Sequence, residues 1–199
     1  MSEVGKCKEC DTTIQPRIRV KEDEVAKLLD GAYGDHCVLR EFPVSFKACG
    51  IGVDRSACDQ KPSINARLDF VIESLTAVVI VEVDEFQHSS YCGEIARVNE
   101  IFTALRLGNN TRHVHFVRFN PDPFKIDQKK GRVSIEVRHA RLVEVIQKAL
   151  DSHEPQKTWS ILHMFFDTDE NGRLCIMDEI NMEIHPVFIP PIFIAPIIV

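Results

Sequence analysis

The sequence predicts an α/β domain built on a central mixed β-sheet, and three observations carry that prediction. Thr76 to Val83 is an uninterrupted β-branched run, apolar on both sides, as a strand covered on both faces requires. Two shorter segments before it, Val38 to Phe46 and Ala66 to Ile72, alternate apolar and polar residues with the period of half-buried strands. The segment after it, Tyr91 to Leu107, repeats Ile95, Val98, Ile101, Phe102 and Leu105 at helical spacing.

Taken in order, Lys21 to Leu29 reads as a short amphipathic helix, with Val25, Leu28 and Leu29 on one face and Gly31 and Gly34 closing it. The first strand, Val38 to Phe46, is followed by a loop rich in Gly, Asp, Ser and Cys from Cys49 to Pro62. The second and third strands are close enough to pair as a hairpin, and the helix after the third allows a parallel crossover to a fourth, His113 to Phe119. Asn120 to Asp122 is a turn, a basic stretch follows, and a helix runs from about His139 to Leu150. These signals divide the chain into an N-terminal cysteine knuckle (1–19), a core (20–150) and a C-terminal extension (151–199).

The 199 residues include 24 Lys plus Arg against 30 Asp plus Glu, a formal charge of −6, and 44% hydrophobic residues. That composition belongs to a folded globular protein and excludes a disordered chain, a coiled coil or a collagen-like repeat. The first ten residues are polar and no apolar run reaches about 18 residues, so neither a secretory signal nor a membrane span is expected. An intracellular protein, nuclear or cytoplasmic, follows as the expectation. Charge is segregated: residues 68–111 hold two basic and seven acidic side chains, and 112–141 hold eight basic and three acidic. Carboxylates hold cations and Lys or Arg hold phosphates, so an acidic segment followed by a basic one suits a metal-dependent enzyme acting on a polyanion. Uneven surface charge on an ordinary folded protein is the competing reading.

The chemistry concentrates at one strand end. Glu82 and Asp84 are two apart in the third strand and project from one face, and hairpin pairing brings Asp69 of the second strand beside them. Grouped carboxylates at the end of an apolar strand either bind a divalent cation or mark an exposed terminus. Because Val78 to Val81 are all apolar, the strand reads as central and the cation reading gains.

The ordered set Arg67-Leu68-Asp69-Phe70, Val81-Glu82-Val83-Asp84-Glu85-Phe86-Gln87-His88, Tyr91, Glu94 with Arg97, and Val117-Arg118-Phe119-Asn120-Pro121-Asp122 resembles the PD-(D/E)XK, or restriction-endonuclease-like, nuclease superfamily. The likeness covers about residues 20–125 and is greatest to a branch of large DNA viruses and algae, more distantly to very-short-patch repair endonucleases. It implies a restriction-endonuclease-like central mixed sheet flanked by helices, with a small C-terminal β-containing extension, and a viral protein working in the nucleus, the cytoplasm or a viral factory. By position, Asp69 matches the first metal-binding Asp and Glu82 the second-motif Glu, with Asp84 assisting and Glu24 of the first helix a looser match. The implied activity is a Mg²⁺- or Mn²⁺-dependent endonuclease on double-stranded DNA. Asp84 stands where the superfamily usually has Lys; Gln87, His88 or Arg97 is available for that role, and His88 suits proton transfer. Arg97 and Arg118 suit bidentate phosphate contact, Asn120 belongs to the same motif, and Lys125, Lys129, Lys130 and Arg132 would meet the backbone. A noncatalytic nucleic-acid-binding or interaction module on the same fold is the alternative. Cutting both strands of a duplex favours a homodimer.

Two further motifs stand apart. Cys7 and Cys10, with Cys49 and Cys58, offer four thiolates for a structural Zn²⁺, although one two-residue knuckle is half of that signal. Asp167 to Gly172 with Asp178 resembles a calcium loop, but Asp replaces the usual last Glu, and strand-like flanks from Ile161 to Phe166 and Arg173 to Met177 favour a β-hairpin. The Pro-rich apolar tail, Glu183 to Val199, is expected to lie extended on the protein or on a partner.

Overall fold

The structure is a computed structural model that describes residues 20–34, 37–46, 65–85, 94–152, 159–169 and 174. The four cysteines of the expected zinc site, Gln87, His88, the Cys49 to Pro62 loop and the C-terminal tail lie outside the described residues.

Helix α1 (Val20–Tyr33) precedes strands β1 (Val38–Ser45), β2 (Asn65–Glu73) and β3 (Ala77–Val83). Helix α2 (Glu94–Leu107) leads to β4 (His113–Phe119), a hairpin of β5 (Lys125–Ile126) and β6 (Lys129–Lys130), helix α3 (Ile135–Leu150) and β7 (Trp159–Met164). The central sheet has the order β1-β2-β3-β4-β7. β1, β2 and β3 are antiparallel neighbours, while β3, β4 and β7 run parallel. The expected hairpin between the second and third strands and the parallel crossover to the fourth are both present.

Opposite faces of the sheet bury opposite phases of the same strands. Val79 and Val81 of β3 pack with Val117 and Phe119 of β4 against Val25 and Leu29 of α1 and Leu142 and Ile146 of α3. Val78 and Ile80 pack with Val114 and Phe116 against Val98 and Ile101 of α2. Two-sided cover explains why β3 reads as a continuous apolar run: both alternating faces of the strand are core.

Two differences from the sequence reading bear on the site. Helix α3 begins at Ile135, one turn before His139, because Ser134 caps it by accepting from the Val137 amide (3.5 Å) and Glu136 occupies the first turn. The boundary at residue 150 cuts through the sheet, since β7 pairs with β4 from Val114↔Trp159 to Phe119↔Met164. Ile161 to Phe166 is therefore a core strand and its continuation, rather than the first arm of a separate extension. Beyond it, Thr168 forms an antiparallel bridge with Leu174 and a parallel bridge with Ile126. Asp167, the first residue of the calcium-like loop, accepts from the Lys125 amide at 2.7 Å and so pins this arm to β5. Among the described residues no helix is long and apolar enough to cross a membrane.

Candidate metal and nucleic-acid site

The site forms where β2 and β3 part. Their pairing ends at Phe70↔Val81, and continuing the register sets Asp69 opposite Glu82. At that point Asp69 Oδ2 accepts from the Val83 amide at 2.8 Å, so a side-chain carboxylate takes the place of a backbone carbonyl. Asp69 is thereby fixed beside Glu82, as hairpin pairing requires.

On the other side of β2, Glu41 is the β1 residue opposite Asp69, and it adopts φ 48° where the β1–β2 pairing skips a position. This left-handed conformation is costly for a residue with a Cβ, of order 1 kcal/mol or more, and held only where surrounding structure imposes it. Glu22 comes in from the first turn of α1. Glu22, Glu41 and Asp69 each offer a carboxylate oxygen within 4.8 Å of the others. They line a cavity of about 360 Å³ together with Arg40 and Arg67. Three oxygens on one Mg²⁺, at bonds of about 2.1 Å, include at most one trans pair about 4.2 Å apart and are otherwise cis at about 3.0 Å, and those are the separations the trio would have to adopt around a hard divalent cation.

Glu82 and Asp84 are not members of that trio. Glu82 lies 3.4 Å from Arg97 of α2, with its side chain 12% exposed. Asp84 holds Arg118 by two hydrogen bonds of 2.5 Å, from Nε and Nη2, in a pair buried on both sides. Arg118 is also the register partner of Glu82 across β3 and β4. Burial, and then the Asp69 charge, push the Glu82 carboxyl up to about 7; Arg97 and Arg118 oppose the shift and Asp84 adds to it.

The expected site residues sort accordingly. Asp69 accepts from the amide next to Glu82 and its charge acts on Glu82, but the carboxylates grouped with it are Glu22 and Glu41. Asp84 is spent on Arg118, which removes both from the simple roles of metal helper and free phosphate ligand. Glu24, the looser match on the first helix, is exposed and its charge acts on His139 of α3. Two residues on an α-helix are about 200° apart, so Glu22 and not Glu24 faces the cavity. Asn120 is corrected from nucleic-acid contact to framework: it is fully buried, donates to the Phe165 carbonyl (2.7 Å) and accepts from the Asp122 amide (2.8 Å). Arg138 completes that framework by donating to the carbonyls of Asn120 (3.2 Å) and Asp122 (2.8 Å).

The basic residues remain on the surface. The chain leaves β4 at Phe119, the register partner of Val83, and thus at the same end of the sheet as Glu82. The hairpin that follows turns through Asp127 (φ 49°) and Gln128 (φ 61°), a two-residue loop with both central residues left-handed. Lys125, Lys129 and Lys130 are exposed on it and Arg132 just beyond. Lys21 of α1 forms an ion pair with Asp122, which ties the first helix to the segment entering this hairpin.

Sequence reasoning missed Glu22 and Glu41. Glu22 lies within the run Lys21-Glu22-Asp23-Glu24, where only the helix phase selects the inward acid, and Glu41 has no local signal at all. No protein-family profile, curated protein or solved structure matches this chain.

Proposed function

We propose that the protein is a metal-dependent phosphodiesterase of the restriction-endonuclease-like kind, acting on double-stranded DNA. The observation that carries this reading is the Asp69 carboxylate, which stands beside Glu82 and groups with Glu22 and Glu41 at the end of the sheet where the basic hairpin departs. The order helix, three antiparallel strands, helix, parallel strand supports it further.

In this mechanism Asp69, Glu22 and Glu41 would hold the cation. A bound Mg²⁺ or Mn²⁺ supplies Lewis acidity and an acidified water. Glu82, whose carboxyl is held by Arg97, would accept the proton of the attacking water. Arg97 steadies Glu82 between turnovers, and Lys125, Lys129, Lys130 and Arg132 engage the phosphate backbone without reading sequence. The closed Asp84–Arg118 pair, in place of a free lysine, favours the second reading: a nucleic-acid-binding module on this fold without turnover.

Incubating the purified protein with plasmid and single-stranded DNA in Mg²⁺, Mn²⁺ or EDTA separates the two. Metal-dependent cleavage that falls about 100-fold or more in Asp69→Asn, equivalent to about 2.7 kcal/mol of barrier, with an unchanged melting temperature, is the expected result. Binding without cleavage in every metal leaves the noncatalytic module.

A further inference from the structure

Two guanidinium groups line the acidic cavity, and they are held very differently. Arg40 is committed to α1, where its Nη2 pairs with the Asp30 carboxylate and reaches the Ala26 carbonyl at 3.5 Å. Arg67 meets only the rim: Nη1 lies 3.0 Å from Glu41 Oε2, and its side chain is 69% exposed. Its backbone, in contrast, is anchored. Arg67 pairs with Pro43 within the β1–β2 ladder, and its carbonyl accepts from Arg97 Nη2 at 3.3 Å. A fixed base with a solvated tip is a side chain that can change partner without disturbing the fold.

Glu41 belongs to the carboxylate trio, so Arg67 and a divalent cation would compete for the same carboxylate. An exposed ion pair is a weak competitor, because solvent screens it and holding two long side chains together costs entropy. We propose that Arg67 is the resident counterion of Glu41, that a divalent cation displaces it, and that the released guanidinium then binds a phosphate of the polyanion at the same cavity. A guanidinium fork matches a phosphate in two parallel hydrogen bonds, which an ammonium cannot reproduce. The cation thus both joins the site and frees a substrate ligand, so cation and polyanion bind cooperatively. This rests on the trio being the cation site.

The test uses the full chain, Mn²⁺ titrated by calorimetry, and a fluorescent duplex with phosphorothioate linkages titrated by anisotropy in Mn²⁺ or in EDTA. Arg67→Gln is expected to bind Mn²⁺ about 3-fold more tightly, the scale of an exposed pair removed, while binding the duplex about 5- to 10-fold more weakly in Mn²⁺ and nearly as well as the parent in EDTA. Arg67→Lys, which keeps the charge but loses the fork, is expected to leave Mn²⁺ affinity near the parent value and still to weaken duplex binding in Mn²⁺. Unchanged or weaker Mn²⁺ binding by Arg67→Gln overturns the proposal, and so does an equal loss of duplex affinity with and without the metal. If the parent protein itself binds no Mn²⁺, the cation-site reading fails along with it; if the parent binds and only the variants disagree, Arg67 alone has been misassigned.

Discussion

At the N-terminal end of β4, His113 and His115 are buried with their rings 4.3 Å apart. Ser160 of β7 lies 2.9 Å from His115 Nδ1 and 3.3 Å from His113 Nε2, and Ser152, just after α3, lies 2.9 Å from His115 Nε2. Nearby, Ser74 and Thr76 donate to the Leu150 carbonyl at 2.9 and 3.2 Å. At the other end of the same strands, Asp84 and Arg118 are buried and Glu82 is half-buried, and these are carboxylates and a guanidinium. One end of the sheet is tied by histidines and hydroxyls that satisfy one another, each hydroxyl donating or accepting as needed, beside the Arg112–Glu73 ion pair. The other end collects the carboxylates of Asp69, Glu82, Glu22 and Glu41, with Arg40, Arg67 and Arg97 among them. The hydrogen-bonded cluster ties β7 and the end of α3 to the sheet. Carboxylates crowded together repel one another, which opposes folding unless counter-charges offset it.

The largest effect expected from disturbing this contrast is at the buried ion pair. Arg118→Leu should cost about 3–5 kcal/mol by leaving Asp84 charged and unpaired, whereas the double change Asp84→Leu with Arg118→Met should recover most of it. Urea unfolding of both variants checks this, and equal losses in the single and double variants would show that packing, not charge, sets the cost.

The histidine end predicts a smaller, pH-dependent effect. Burial, and then the neighbouring His113, lower His115 from its usual 6.5 to about 4. In the unfolded chain it takes up a proton below about 6.5, while the folded protein resists until about 4. Its contribution to stability is therefore complete above pH 6.5 and lost as pH falls from 6.5 towards 4, amounting to about 2–3 kcal/mol. Trp159, the single tryptophan, packs edge-on against Phe116 beside Ser160 and reports on this end by fluorescence. His115→Gln should flatten the acid limb of its unfolding profile, and an unaltered profile would place the sensitivity elsewhere.

Glu82 has the opposite sign and the smallest expected magnitude. Its carboxyl is raised to about 7, so its charge is tolerated in the unfolded chain but resisted in the fold. Stability is retained below the ordinary glutamate range and declines as pH rises from about 4.5 to about 7. Glu82→Gln should consequently gain about 2 kcal/mol at pH 8 while losing any cation-dependent cleavage, a trade-off expected of a functional site. A variant that is less stable at pH 8 would make Glu82 a structural partner of Arg97.

Several of these features were legible in the residues. The β-branched run announced β3, its closeness to β2 announced their hairpin, and the approach of Asp69 towards Glu82 followed from that pairing. Glu41 was not legible, because its role depends on a left-handed backbone in β1 meeting Asp69 across the β1–β2 ladder, and no local pattern encodes that encounter. Asn120 and Asp84 misled for a related reason. Polar residues at strand ends look like surface chemistry until the packing of Phe165, Arg138 and Arg118 shows them to be interior partners.

What the sequence determined by itself was therefore local: the periodicities that make these strands and helices, the caps that end them, and the placing of acids at the end of an apolar strand. Which acids meet, that β7 completes the sheet, and that the hairpin's lysines leave β4 at the acidic end were decided only by tertiary structure. Those outcomes depend on contacts between residues far apart in the chain, where a two-residue shift on α1 exchanges Glu22 for Glu24 and turns the carboxylate away from the cavity.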